Sequence, residues 1–146
     1  MSEALRPIAG ELGSVRGQAE WWSEARSRRE VQSYPFVRAT LYPGQLMVHS
    51  GIPLGPRLDE SVSVDEHEPV WMRERDVGAY WPAPRLWLLF VAREKHELVR
   101  WRFKPGRTGS ARIVTLLETA GWPPHDGRVL EHLSVPELRV RRWRLP

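Results

Sequence analysis

The sequence predicts an α+β fold in which a small, all-antiparallel β body is sealed by one amphipathic helix. Three observations carry this expectation. Arg85 to Ala92 is an apolar run between prolines and charges, which reads as a strand buried on both faces. Leu98 to Lys104 alternates, so Val99, Trp101 and Phe103 face one way while Arg100, Arg102 and Lys104 face the other, one side core and the other wet. Ile113, Val114, Leu116, Leu117 and Ala120 form a stripe at helical spacing that ends at Gly121-Trp122, a pattern that suits a left-handed C-terminal cap with its apolar contact.

Taken in order, residues 1–17 carry scattered glycines and no sustained period, and read as a poorly ordered lead-in. Gln18 to Val31 is rich in helix formers, with Ala19 and Trp22 on one side, and predicts a helix. Phe36 to Tyr42 alternates as a strand, Pro43-Gly44 supplies a two-residue turn, and Gln45 to Ser50 returns. Ile52 to Pro56 is a loop, Leu58 to Val64 a third strand, Asp65 to Glu68 an acidic turn and Val70 to Met72 a short fourth strand. Arg73 to Tyr80 reads as either a strand or a tight turn. Arg93 to Glu97 is a hairpin connection that makes its flanking strands antiparallel neighbours. Pro105 to Gly109 breaks the alternation, and Ser110 is placed to cap the helix that follows from Ala111. Beyond Trp122, Pro123-Pro124 stops the helix, Val129 to Leu133 suits a helical turn, and Leu138 to Leu145 fits an arginine-defended edge strand or a basic binding tail.

A chain of 146 residues with 41% hydrophobic and 27% charged content is a single globular domain by size. The expected divisions are a helical lead-in over 1–33, a barrel with its capping helix over 34–122, and a basic tail over 123–146. The absence of cysteine excludes disulfides, thiol nucleophiles and thiolate metal sites. No apolar run reaches membrane-spanning length and the N-terminus lacks a signal-peptide core, so the expected location is the cytoplasm. Eight tryptophans recur along the chain. They either fill a small core economically or line a ligand cavity, for which Trp71, Trp81, Trp87, Trp101, Tyr42 and Tyr80 are the candidate walls.

Net charge is +4, with seven acids between Asp59 and Asp76 and five bases without an acid between Arg100 and Arg112. The molecule is expected to be electrically polarised.

The opening hairpin at Val37 to Ser50, the later strands at Leu86 to Val91 and Leu98 to Phe103, and the helix from Ile113 to Trp122 follow one another in an order that resembles the bacterial pleckstrin-homology-like (PH-like) family. That resemblance covers about Phe36 to Trp122 and rests on element order and the Leu-Leu-x-x-x-Gly-Trp ending. It implies two near-orthogonal antiparallel sheets closed by a C-terminal helix, and a binding or adaptor module with no catalytic residue to carry over.

Candidate sites follow from charge. Lys104 to Ser110 connects a strand to a helix N-terminus, where free amides and the dipole favour anions. Arg100, Arg102, Lys104, Arg107, Ser110 and Arg112 are therefore the expected anion- or partner-binding residues, although the segment does not match the phosphate-wrapping loop of nucleotide-binding folds. Asp65-Glu66-His67-Glu68 has neither metal-ligand spacing nor a second convergent segment, and His49-Ser50 lacks a nucleophile elbow. No catalytic set, metal site or cofactor is assigned.

The leading functional expectation is a non-catalytic module that binds an acidic protein segment or an anionic ligand. Two alternatives stay open: a small-barrel enzyme with a tryptophan-lined pocket for an apolar substrate, using Tyr80, His49 or Tyr42, and a structural subunit of a larger complex. Nucleic acid fits less well because of the acidic belt, and it would require an exposed aromatic beside the basic row.

Overall fold

A computed structural model of the chain describes residues 10–23, 26–51, 57–73, 86–94, 101–107 and 109–123. The expectations placed on the loop at 52–56, on 74–80 and on everything after Pro123 lie outside the described residues. The elements in order are β1 (Gly13–Ser23), β2 (Arg28–Tyr42), β3 (Gln45–Ser50), β4 (Asp59–Ser63), β5 (His67–Arg73), β6 (Leu86–Ala92), β7 (Trp101–Pro105) and α1 (Gly109–Ala120). The strands form one seven-stranded sheet in the order β4-β3-β2-β1-β7-β6-β5, with every pairing antiparallel.

Connectivity forces this sheet to curl. Laid flat, the steps from β4 to β5 at roughly 4.8 Å each would separate the two edge strands by about 29 Å. Yet only residues 64–66 lie between Ser63 and His67, and four Cα steps of about 3.8 Å reach about 15 Å. The two edges must approach each other at that end, and the sheet becomes a half-barrel. Its inner face carries Val15, Ala19, Trp21, Val37, Ala39, Leu41, Leu46 and Val48 together with Leu88, Phe90, Trp101 and Phe103, all buried in one core.

Helix α1 seals the end where the edges meet. Ile113, Leu117 and Ala120 are buried, with Val114 and Leu116 packed partly against the core. The Gly44 amide donates to the Ala120 carbonyl at 2.7 Å, and the Trp122 indole Nε1 donates to the His67 carbonyl at 2.9 Å. The predicted ending is present: Gly121 has φ +120°, its amide donates to Glu118, and the Trp122 amide donates to Leu117, the paired bonds of a Schellman motif. Trp122 joins the core and lies 5.4 Å from Phe90 between ring centroids. At the other end, Ser110 sits inside the first turn and not at the cap, because α1 begins at Gly109.

The expected N-terminal helix is replaced by strands. Val15, Gly17, Ala19 and Trp21 are buried in alternation, while Gln18 and Trp22 are half-buried, so the period is two and not 3.6. The Ala19 and Trp22 spacing that suggested a helical stripe is fortuitous, since Ala19 and Trp21 share the inner face. Local propensity yields here to long-range pairing: Gly17 to Trp21 bonds with β7 on one side while most of β1 bonds with β2 on the other. The same fact corrects the end of the lead-in from Gly13 onward and the boundary after Ser33, because β1 starts at Gly13 and β2 runs through position 33, while residues 1–9 lie outside the described residues.

The β1–β2 ladder contains one large irregularity. Gly17 pairs with Val37 and Ala19 pairs with Gln32, so a single β1 residue, Gln18, stands opposite Ser33, Tyr34, Pro35 and Phe36. This bulge contains the cis Tyr34-Pro35 bond. It also reverses which parity of β2 faces the core: Glu30 is buried before it, and Val37, Ala39 and Leu41 are buried after it. Bulges of this kind bend a sheet sharply, and this one marks where β1 gains β7 as its second neighbour.

Candidate binding surface

The outward row of β7 is not the wet face that its sequence suggests. Arg102 is 1% exposed and ion-paired with Glu20, its direct Cα partner on β1, with Arg29 Nη1 3.9 Å from the same carboxylate. The Arg102 guanidinium carbon lies 4.8 Å from the Trp87 ring centroid, and Lys104 Nζ lies 5.2 Å from it. Two of the expected partner-binding residues therefore cement β7 to β1 and β6. The pairing spans 82 positions, which is why the local alternation could not show it.

The helix N-terminus is also less open than expected. The Gly109 amide donates to the Gly106 carbonyl at 2.9 Å, so this first-turn donor is already engaged. Gly109 itself is buried, and a Cβ there would collide with Val15. Arg107, Ser110 and Arg112 remain exposed. Arg100 lies outside the described residues.

Among the described residues, the proposed pocket walls lie on two faces of the sheet. Trp71 and Trp101 are on the inner face: Trp71 is the Cα partner of Leu88, and Leu88 is the partner of Phe103. Trp87 is on the opposite face, beside Arg102 and Lys104. Tyr42 is half-buried at the end of β2, and Trp81 and Tyr80 lie outside the described residues.

A different surface gathers at the bulge. Tyr34 is 59% exposed and Phe36 47% exposed, and Pro35 between them is exposed as well. A Cβ built on Gly106 would fall 2.7 Å from Tyr34 Cε2 and 3.3 Å from Cδ2, so this edge of the ring rests on bare glycine backbone. The Gly106 amide in turn donates to the Arg16 carbonyl at 3.1 Å. Arg16 and Arg38 are direct Cα partners across β1 and β2 on the outer face, and Arg107 follows Gly106. Three exposed arginines thus stand around two exposed rings, and among the described residues none of Arg16, Arg38 and Arg107 has an ion-pair partner. Of the described members of the expected set, Arg107 is the one that adjoins this surface. The available signal was Pro35 immediately ahead of an alternating stretch, because proline within a sheet marks a bulge or an edge.

The acids lie at the opposite margin. Across the outer face the Cα partners run Arg16, Arg38, His49, Asp59, from basic centre to acidic edge. Glu60 is held above the usual carboxylate range by burial, with the Asp59 charge adding to the effect. Asp65 and Glu66 are exposed in the turn after β4.

No protein-family model, curated protein or solved structure matches the chain. Among the described residues no group of acids and histidines is placed to hold a metal ion, and no helix is long and apolar enough to cross a membrane.

Proposed function

We propose that the chain is a non-catalytic binding module with a PH-like half-barrel, and that it engages an acidic protein segment. Support for the architecture comes from the strand order, the curl and the helix that closes the end at Trp122. The observation that carries the binding assignment is the set of unpaired, exposed arginines Arg16, Arg38 and Arg107 around Tyr34 and Phe36. Isolated cations on a sheet normally acquire acidic neighbours or scatter. Here two are held side by side by strand pairing and the third follows the Gly106 that bonds the Arg16 carbonyl, and together they raise the local potential and attract carboxylates. The contact face proposed from sequence thus shifts from the β7 row to the bulge, keeping Arg107 as the shared member.

The test is the charge-reversed double variant R16E/R107E, measured by fluorescence anisotropy against a labelled oligoglutamate peptide at low and physiological salt. The expected result is at least a tenfold loss of affinity with an unchanged melting temperature, since exposed substitutions away from core features alter stability by about 0.5 kcal/mol or less. Equal binding by parent and variant would overturn the assignment.

A further inference from the structure

Resting on that reading, the bulge identifies what else the acidic segment carries. We infer that the ligand is an acidic segment bearing an aromatic side chain beside its carboxylates, and that this side chain stacks on the open face of Tyr34. Tyr34 is not an arbitrary exposed ring. Its Cε2–Cδ2 edge lies on Gly106, where the lack of a side chain lets the ring settle against the backbone while more than half of the residue stays open to solvent. A ring supported from below is a fixed platform, so little conformational freedom is lost when a partner ring covers it. The backbone bond from Gly106 to Arg16 locks that platform to the cationic row, and Phe36 extends the apolar surface on the same bulge. Charge alone would give a diffuse attraction. A pre-set ring flanked by guanidinium groups fixes a register in which carboxylates flank an aromatic residue.

Gly106 is the positioning residue in this scheme, and it provides the test. Its φ is not in the left-handed region, so alanine is compatible with its backbone, but the new Cβ would meet Tyr34 Cε2 at 2.7 Å and push the ring off its glycine seat toward solvent. Two labelled decapeptides serve as probes, both alternating glutamate and serine, one with a central phenylalanine and one with alanine in its place. The parent protein is expected to bind the phenylalanine peptide at least tenfold more tightly, and G106A is expected to abolish that preference while retaining weak binding of both. Y34A should do the same, and adding G106A to Y34A should change nothing further, which separates displacement of the ring from any other effect of the methyl group. Should G106A fold poorly, Y34A alone decides.

Equal affinity of the parent for both peptides, with R16E/R107E still abolishing binding, would overturn this inference and leave the acidic-segment assignment standing. Failure of both peptides to bind would overturn both. Tighter binding of a deoxythymidine decanucleotide than of either peptide would also overturn both, because the rings would then be stacking platforms for bases.

Discussion

The two halves of the curled sheet treat their outer faces differently. Through the middle of β5, β6 and β7 both faces are buried: Val70, Trp87, Leu89 and Val91 on the outside are as inaccessible as Trp71, Leu88, Phe90 and Trp101 on the inside. In the proximal part of β1, with β2 and β3, the outer face holds exposed Arg16, Arg38 and Met47 and half-buried His49, with Thr40 its one buried member on β2, while the inner face is packed throughout. The bulge at Ser33 to Phe36 lies beside the junction between the two. Charge therefore has different consequences on each side. In the dry half an ionised group must be matched by a partner, whereas in the wet half it is free to meet something outside the molecule.

The largest expected effect follows from the dry half. The E20L variant removes the carboxylate opposite Arg102 and leaves that guanidinium buried against Trp87 without Glu20, at a cost of about 3–5 kcal/mol in urea unfolding. Adding R102M should recover most of the loss, because two apolar side chains then replace the pair. If E20L unfolded at the same urea concentration as the parent, the dry half would be tolerant of charge and the contrast between the halves would disappear.

Next in size is the junction. Gly17 pairs with both Val37 and Pro105, and a Cβ there would run into the Lys104 carbonyl and the Phe103 ring. Because backbone and a buried ring cannot yield as an exposed side chain does, G17A is expected to cost about 1–3 kcal/mol. G106A, whose obstruction is the exposed Tyr34 ring, should cost far less. Thermal melts of the two variants side by side check this, and similar losses would mean that Tyr34 is held as firmly as Phe103.

The same contrast explains which features were legible in the sequence. Leu86 to Ala92 announced burial on both faces because all its residues are apolar, and Phe36 to Tyr42 announced a strand because it alternates ahead of Pro43-Gly44, with Gln45 to Ser50 as its return. The ending at Gly121-Trp122 was readable because only a left-handed glycine followed by an apolar residue completes that motif. Residues 18–31 were not legible as strands. The burial of residues 18–21 depends on β7, 80 or more positions away, and the bulge switches the parity of β2, so the alternation after Phe36 does not extend back through it. Arg102 misled for a related reason: an arginine in an alternating strand looks solvated until the partner strand brings a glutamate opposite. The candidate surface was hardest to foresee, since its parts come from three separated stretches and only Arg107 lay in the segment that charge had singled out.

The smallest expected effect belongs to the acidic edge of the wet half, and its sign follows from the direction of the Glu60 shift. Burial, aided by Asp59, holds the folded-state pKa above the ordinary value of 4.5. The folded chain thus keeps this proton more tightly than the unfolded chain does. Stability from the group is fully present below the ordinary value, falls as pH rises through the interval up to the raised value, and is absent above it. E60Q, which cannot ionise, should therefore be slightly more stable than the parent at neutral pH, by less than about 1 kcal/mol because the site is substantially solvated. The two proteins should converge in acid, where the parent glutamate is protonated. Paired urea titrations across that pH range measure the difference. A gap that persisted at low pH would mean that glutamine packs better for reasons of shape, and the edge would then carry no electrostatic cost. A gap that closes would show that even in the wet half an uncompensated carboxylate pushed against its neighbours is mildly unfavourable. Arg16, Arg38 and Arg107 at the bulge, exposed and without an ion-pair partner among the described residues, escape that penalty and remain available to a partner.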